Sequence, residues 1–200
     1  MLLNRAEYAL MNNPVRAAIQ RRFEAGRLLR MGGAMSGGRA LEVGCGRGVG
    51  SELILRLFGA DSVDAFDLDP RMVAKARTRL SAYGTRARVW VGDATAISAP
   101  DATYDAVFDF GIIHHVPAWR RALAEVNRVL KPGGRFYAEE VLKRFIIHPI
   151  TRRFLEHPQS DRFDTAGFRT ELEAFGLELI ATEELWGSFA WFTARKQSAA

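Results

Sequence analysis

Four places along this chain carry residues that could do chemistry. In Leu41-Glu42-Val43-Gly44-Cys45-Gly46-Arg47-Gly48, a short apolar run enters a turn with glycine at every second position. Glycine tolerates positive φ and has no Cβ, so Gly44, Gly46 and Gly48 read as a cradle that lets backbone approach a nucleotide-type ligand. Asp67 ends a second run, Ser62 to Asp67, 23 residues after Gly44, where a doubly wound sheet places a carboxylate for two ribose hydroxyls. His114 and His115 follow a third run, Tyr104 to Asp109; imidazole titrates near working pH and suits a base that takes a proton from an acceptor. Glu139 and Glu140 end a fourth run with side chains in opposite directions, and Glu140 joins the two histidines as the candidate catalytic set.

Spacing narrows the nucleotide. A dinucleotide fingerprint needs glycine at its first, third and sixth positions, but the sixth is Val49 counted from Gly44 and Ser51 counted from Gly46. The Gly-Lys-Ser/Thr ending of a phosphate-binding loop is missing too, which disfavours both an NAD(P)-dependent oxidoreductase and a nucleotide triphosphatase.

The elements that must position these residues alternate. Strands are expected near 39–43, 62–67, 87–91, 104–109 and 134–140, and helices near 48–58, 70–82, 118–130 and 164–175, the pattern of parallel strands with crossover helices. Pro70 suits a first helical turn and Pro132-Gly133-Gly134 ends a helix. Leu177 to Leu185 and Phe189 to Ala194 read as a terminal hairpin around Trp186-Gly187-Ser188, and residues 143–163 as an irregular, partly apolar insertion.

Taken in order, these segments resemble the class I S-adenosylmethionine-dependent methyltransferases, particularly their small-molecule, quinone-methyltransferase-like group. The resemblance spans roughly residues 39 to 140: Leu41 to Gly48 matches the first motif, Asp67-Leu68-Asp69-Pro70 the ribose motif, Val91-Gly92-Asp93-Ala94 the adenine motif, and Glu125 to Gly134 the helix-to-strand junction. It implies a Rossmann-like, doubly wound, mostly parallel seven-stranded sheet with an antiparallel last strand. It also implies S-adenosyl-L-methionine as cofactor, with Glu42 near the amino group, Gly44, Gly46 and Gly48 along the methionyl and ribose parts, and Asp67 on the ribose hydroxyls. Leu68 would meet the adenine face and Asp93 the adenine amine, with Ala94 and Phe110 beside them. The family carries a similar His-His pair in which one imidazole serves to fix the loop. Asp109-Phe110-Gly111-Ile112 departs from the Asn/Asp-Pro-Pro-aromatic motif of enzymes that methylate amino groups of bases or glutamine. A non-catalytic, cofactor-binding member of the fold is the competing reading.

Composition sets the wider bounds. The chain's 200 residues suit one well-buried domain. It divides at a Gly32-Gly33…Gly37-Gly38 hinge into an N-terminal segment, 1–38, and a methyltransferase-like domain, 39–200, with residues 143–163 as a short substrate cap. The net charge of +5 belongs to the first 40 residues, where seven arginines face Glu7 and Glu24; the rest is neutral, which argues against a nucleic-acid substrate. Val15, Ile19 and Phe23 recur at helical spacing among arginines, so this segment reads as an amphipathic basic helix that packs on the domain, covers the pocket or touches an anionic membrane surface. One cysteine, Cys45, rules out an intramolecular disulfide and a multi-cysteine metal site, and no compact His/Asp/Glu cluster suggests a metal. No apolar run is long enough to span a membrane or serve as a signal peptide, so a cytoplasmic place is expected. The insertion and the N-terminal helix favour a small acceptor with a hydrophobic part, methylated at oxygen or carbon.

Overall fold

The computed structural model describes residue 18, residues 20–148 and residues 160–198. A π-helical turn, Gln20–Glu24, leads into α1 (Ala25–Gly32). Next come β1 (Arg39–Val43), α2 (Val49–Leu53), β2 (Ser62–Asp67), α3 (Pro70–Leu80), β3 (Ala87–Val91) and β4 (Tyr104–Phe110). A 3-10 turn, Ile113–His115, precedes α4 (Trp119–Val129), β5 (Leu130–Val141), α5 (Lys143–Ile146), α6 (Thr165–Ala174), β6 (Leu177–Leu185) and β7 (Phe189–Lys196).

The strands form one sheet in the order β3-β2-β1-β4-β5-β7-β6. Pairs from β3 to β5 are parallel, and β7 runs antiparallel to both β5 and β6. The chain winds one way from β1 to β3 and the other way from β4, so the connections part between β1 and β4. Open α/β sheets bind ligands in the crevice at the carboxyl ends of strands flanking such a point.

Strand periodicity divides the core. Val107, Phe136 and Phe192 point to one face, covered by α4 and α6 through Trp119, Leu123, Phe168 and Leu172. Their neighbours Phe108, Tyr137 and Trp191 point to the other, where Leu28 of α1 and Ile54 and Phe58 after α2 meet them. Phe108 stacks on Tyr137 at 4.5 Å and meets the edge of Phe58 at 4.7 Å. Asp69 caps α3 by accepting from the Arg71 N–H at 2.9 Å, with Pro70 in the first turn, and Asp164 caps α6 by accepting from the Gly167 N–H at 2.8 Å.

Two elements differ from the sequence reading. β5 starts at Leu130 rather than near 134, because Leu130 pairs with Tyr104 ahead of an irregularity in the ladder between Tyr104 and Ala106. The N-terminal helix does not pack through Phe23, which is 67% exposed, while Glu24, Ala25 and Leu28 are buried. The π-helical turn over Gln20–Glu24 explains the rotation, since a wider turn shifts the apolar stripe out of phase with a 3.6-residue period. Val15 and Ile19 lie outside the described residues.

Candidate active site

At the crevice between β1 and β4 lies a cavity of about 410 Å³. Its floor is the turn after β1. Gly44 has φ +66°, and a Cβ there would lie 2.6 Å from Ile112, so the turn closes tightly on the segment after β4. Gly46 faces open space, with no atom within 4 Å of where its Cβ would stand, and donates its N–H to Asp67 Oδ2 at 2.8 Å. These two positions form a cradle that a side chain would fill or distort. Gly48 has another task. It does not line the cavity; a Cβ would meet Ala76 at 3.2 Å, so it lets α3 approach the turn.

Three carboxylates stand around this floor at different depths. Asp67 ends β2 half-buried, with Oδ2 on Gly46 and Oδ1 accepting from the Asp69 N–H at 2.9 Å, and burial raises its pKa. Each oxygen keeps acceptor capacity for a diol. Asp93 is exposed and uses Oδ1 to accept from the Thr95 N–H at 2.8 Å and its hydroxyl at 2.9 Å, which fixes the loop after β3 and leaves Oδ2 for an amine. Glu42 is 2% exposed on β1 and takes a short hydrogen bond from the Ser51 hydroxyl. Burial pushes its pKa up to about 8, so near neutrality it is mostly protonated and would gain its charge beside a cation. A Cβ on Gly50 would overlap Glu42 Oε1 and lie 2.6 Å from Phe110, so Gly50 makes room for the Glu42 carboxyl. Leu68, Ala94 and Phe110 also line the cavity; Leu68 is 43% exposed and Phe110 is buried beneath it all.

The opposite wall is the 3-10 turn. His115 lines the cavity, with Ile112, Val116 and Pro117 beside it. His114 does not: it is buried, with Nδ1 2.6 Å from Glu140 Oε2. Glu140 is fully buried and also accepts from the Ile113 and His114 N–H groups, both at 3.1 Å. Behind it stands the Asp109 carboxyl, whose Oδ1 accepts from the Ile112 N–H at 2.8 Å, and burial together with the neighbouring Glu140 raises the pKa of Asp109 well above its ordinary value. Burial beside a second carboxyl favours the neutral form of Asp109, which leaves Glu140 as the acceptor for the turn. Of the three candidate catalytic residues, then, the structure brings only His115 to the cavity. His114 and Glu140 form the clasp that holds His115 there, with the two imidazoles 4.2 Å apart. Arg162 donates to the His114 carbonyl at 2.5 Å and ties the end of the insertion to this turn. Glu139 is buried, His148 is exposed, and His157 lies outside the described residues.

Sequence reasoning missed Gly50 and Ser51, which set Glu42, and Gln20, which reaches the cavity from the turn before α1. A glycine inside a helical pattern was the available signal for Gly50. Among the described residues, no group of three or more His, Cys, Asp or Glu could hold a metal ion.

A doubly wound sheet with a glycine cradle, a strand-end acid on a second strand and an exposed acid on a third defines a nucleoside-binding α/β domain. Comparison with known proteins specifies it. Residues 40–134 match the methyltransferase domain family. Over 113 residues the chain is 34% identical to a fatty-acid O-methyltransferase of Mycolicibacterium smegmatis, covering 56% of this chain and 40% of that protein. It is also 34% identical over 114 residues to a sterol 24-C-methyltransferase of Eremothecium gossypii, covering 56% and 31%. The chain thus spans less than half the length of either relative. A crystal structure of a SAM-dependent methyltransferase from Aquifex aeolicus superposes with a TM-score of 0.75 at 20% identity, over 96% of this chain and 98% of that one, which shows the shared fold. Through residues 40–134 the chain thus resembles a methyltransferase domain, and over 153 residues it is 30% identical to a probable S-adenosylmethionine-dependent methyltransferase of Mycolicibacterium smegmatis, covering 76% of this chain and 57% of that protein, which makes S-adenosylmethionine the group to test against the cavity. The cavity fits that group: an open cradle at Gly46, a buried carboxyl aimed at it from β1, and acids at the ends of the two neighbouring strands.

Proposed function

We propose that this protein transfers the methyl group of S-adenosylmethionine to a small, largely apolar acceptor at oxygen or carbon, with His115 as the group that receives the acceptor's proton. The observation that carries this reading is the single cavity joining the carboxylate-lined floor to His115 and its apolar neighbours. The names of the two relatives, an O-methyltransferase and a C-methyltransferase acting on lipids, support the acceptor class.

When bound, the cofactor supplies an electrophilic methyl group on a sulfonium, transferred by in-line displacement. The protein's task is to hold and orient. Asp67 offers two fixed oxygens to the ribose hydroxyls, Asp93 one oxygen to the adenine amine, and Glu42 a carboxylate to the ammonium. Ile112, Val116 and Pro117 make the acceptor side apolar and exclude water. His115 accepts the proton on its ring, and the buried His114–Glu140 clasp keeps that ring at the cavity wall.

Gln20 at the cavity and Arg162 on the His114 carbonyl support N-terminal and 143–163 segments that border the acceptor side as packing helix and cap. The neutral body supports a small-molecule acceptor rather than nucleic acid, and the lone, buried Cys45 supports a reducing, cytoplasmic setting. Calorimetric titration with S-adenosylmethionine and S-adenosylhomocysteine, followed by a screen of lipophilic acceptors with labelled methyl groups, tests the reading. Binding without transfer to any acceptor class would favour a non-catalytic role.

A further inference from the structure

The tip of the β6–β7 hairpin presents a tryptophan to solvent. Trp186 is 79% exposed and held in the left-handed region at φ +55°, a conformation that costs a bulky side chain energy and brings no packing in return. The tip is built together with α5. The Leu142 N–H donates to the Ser188 carbonyl at 2.8 Å, Phe145 packs on Phe189 at 5.1 Å, and a Cβ on Gly187 would lie 3.3 Å from Arg144 Cδ. On this same short helix and just beyond it, Lys143 and Arg144 are exposed and Ile147 is 41% exposed. Neither cation has an acidic partner among the described residues. Of the two acids leading into the tip, Glu183 pairs with Arg27 at 2.9 Å, and Glu184 accepts from the Thr165 hydroxyl while its other oxygen, like the Arg144 guanidinium, lies beside Gly187. About one turn before Arg27, Phe23 is 67% exposed next to the exposed Arg22.

An amphipathic ring at the tip of a hairpin, flanked by two exposed cations and a further aliphatic side chain, has the composition of an interfacial anchor. Its placement fits. β5 runs parallel to β1 and β4 and ends at Val141, opposite Phe189, so the tip and α5 stand at the carboxyl end of the sheet, where the cavity opens. We propose that this surface docks the protein on an anionic lipid bilayer, with Trp186 and Ile147 entering the interface and Lys143 and Arg144 against the headgroups. The positive charge beside the ring selects lipid over an uncharged apolar protein surface. No described helix is long and apolar enough to cross a membrane, so this is attachment to one face of the bilayer.

Vesicle sedimentation and tryptophan fluorescence test this without cofactor or acceptor, so the result stands apart from the methyl-transfer reading. Trp119 and Trp191 are buried and Trp90 half-buried, so an emission shift reports chiefly on Trp186. The full chain is expected to bind phosphatidylcholine vesicles containing phosphatidylglycerol with a blue shift, to bind phosphatidylcholine alone far less, and to dissociate as salt rises. Lys143→Glu with Arg144→Glu is expected to lower partitioning by about fivefold per charge removed, and Trp186→Gly, compatible with φ +55°, to abolish the blue shift. Unchanged far-ultraviolet circular dichroism and Tm in both variants would show that the fold is intact. The proposal is overturned if the full chain does not bind anionic vesicles at low salt, if it binds neutral vesicles equally, or if folded variants bind as the parent does.

Discussion

Glu42 makes cofactor binding and stability depend on pH in opposite directions. Its carboxyl is 2% exposed with a pKa pushed up from 4.5 to about 8. In the unfolded chain the proton is lost near the ordinary value, so between those limits the folded protein holds more protons than the unfolded one. Stability from this group is therefore lost as pH rises toward about 8, by at most about 1.4 kcal/mol per pH unit. Asp67, Asp109 and Glu140 also have raised values, so the comparison needed is with Glu42→Gln, which removes one titration and leaves the others. From pH 6 to 7.5 the unliganded parent should lose roughly 4–8 °C of Tm relative to the variant. An ammonium beside Glu42 favours its carboxylate, so ligand binding expels the proton and tightens with pH. Over the same interval the affinity for S-adenosylhomocysteine should rise by up to about thirtyfold, with close to one proton released per site in calorimetry across buffers. In Glu42→Gln that dependence should vanish. A flat affinity profile in the parent, or the same slope in the variant, would refute the assignment of Glu42 to the ammonium.

Asp67→Ala should weaken cofactor binding by at least about tenfold, and the freed Gly46 and Asp69 N–H groups should cost about 1–2 kcal/mol of stability in urea unfolding. His115→Ala should slow turnover by about a hundredfold or more with cofactor affinity and Tm little changed, provided an acceptor has been found. His114→Ala should instead lower stability by roughly 2–4 kcal/mol, because it removes a partner from the buried Glu140; equal stability of the two histidine variants would undo the separation of their roles. Gly48→Ala, at φ +81° and 3.2 Å from Ala76, should destabilise by about 1–3 kcal/mol with unaltered cofactor affinity once folded.

Much of this molecule was legible in the chain because local and global signals agree in it. β1, β2 and β3 begin and end where their apolar runs do, and Asp69-Pro70 marks the start of α3. The antiparallel last strand came from family resemblance, since neighbouring strands alone do not reveal their direction. What stayed hidden depends on contacts between distant segments. His114 and Glu140 are 26 residues apart, and which imidazole turns inward is decided by the register of β5 on β4. The orientation of Phe23 was misread because a π-helical turn leaves no period in so short a stretch. Gly48 and Gly46 look equivalent in the motif, yet one faces a helix and the other open space.

The docking of α1 ties the beginning of the described chain to its end. Tyr137 donates to the Gly33 carbonyl across 104 positions, Arg135 reaches the Ala34 carbonyl across 101, and Arg27 lies over Trp191 of β7. Contacts of such separation form late, since a long loop must close before they return any free energy. During synthesis the cradle, Asp67 and Asp93 are all available well before β6 and β7 emerge. Gln20, carried by the turn that leads into α1, lines the cavity through a helix that docks on both β5 and β7. A nascent chain would thus have the residues of its nucleoside-binding half in hand first, and the wall that Gln20 completes would follow with the docking of α1 on the later strands.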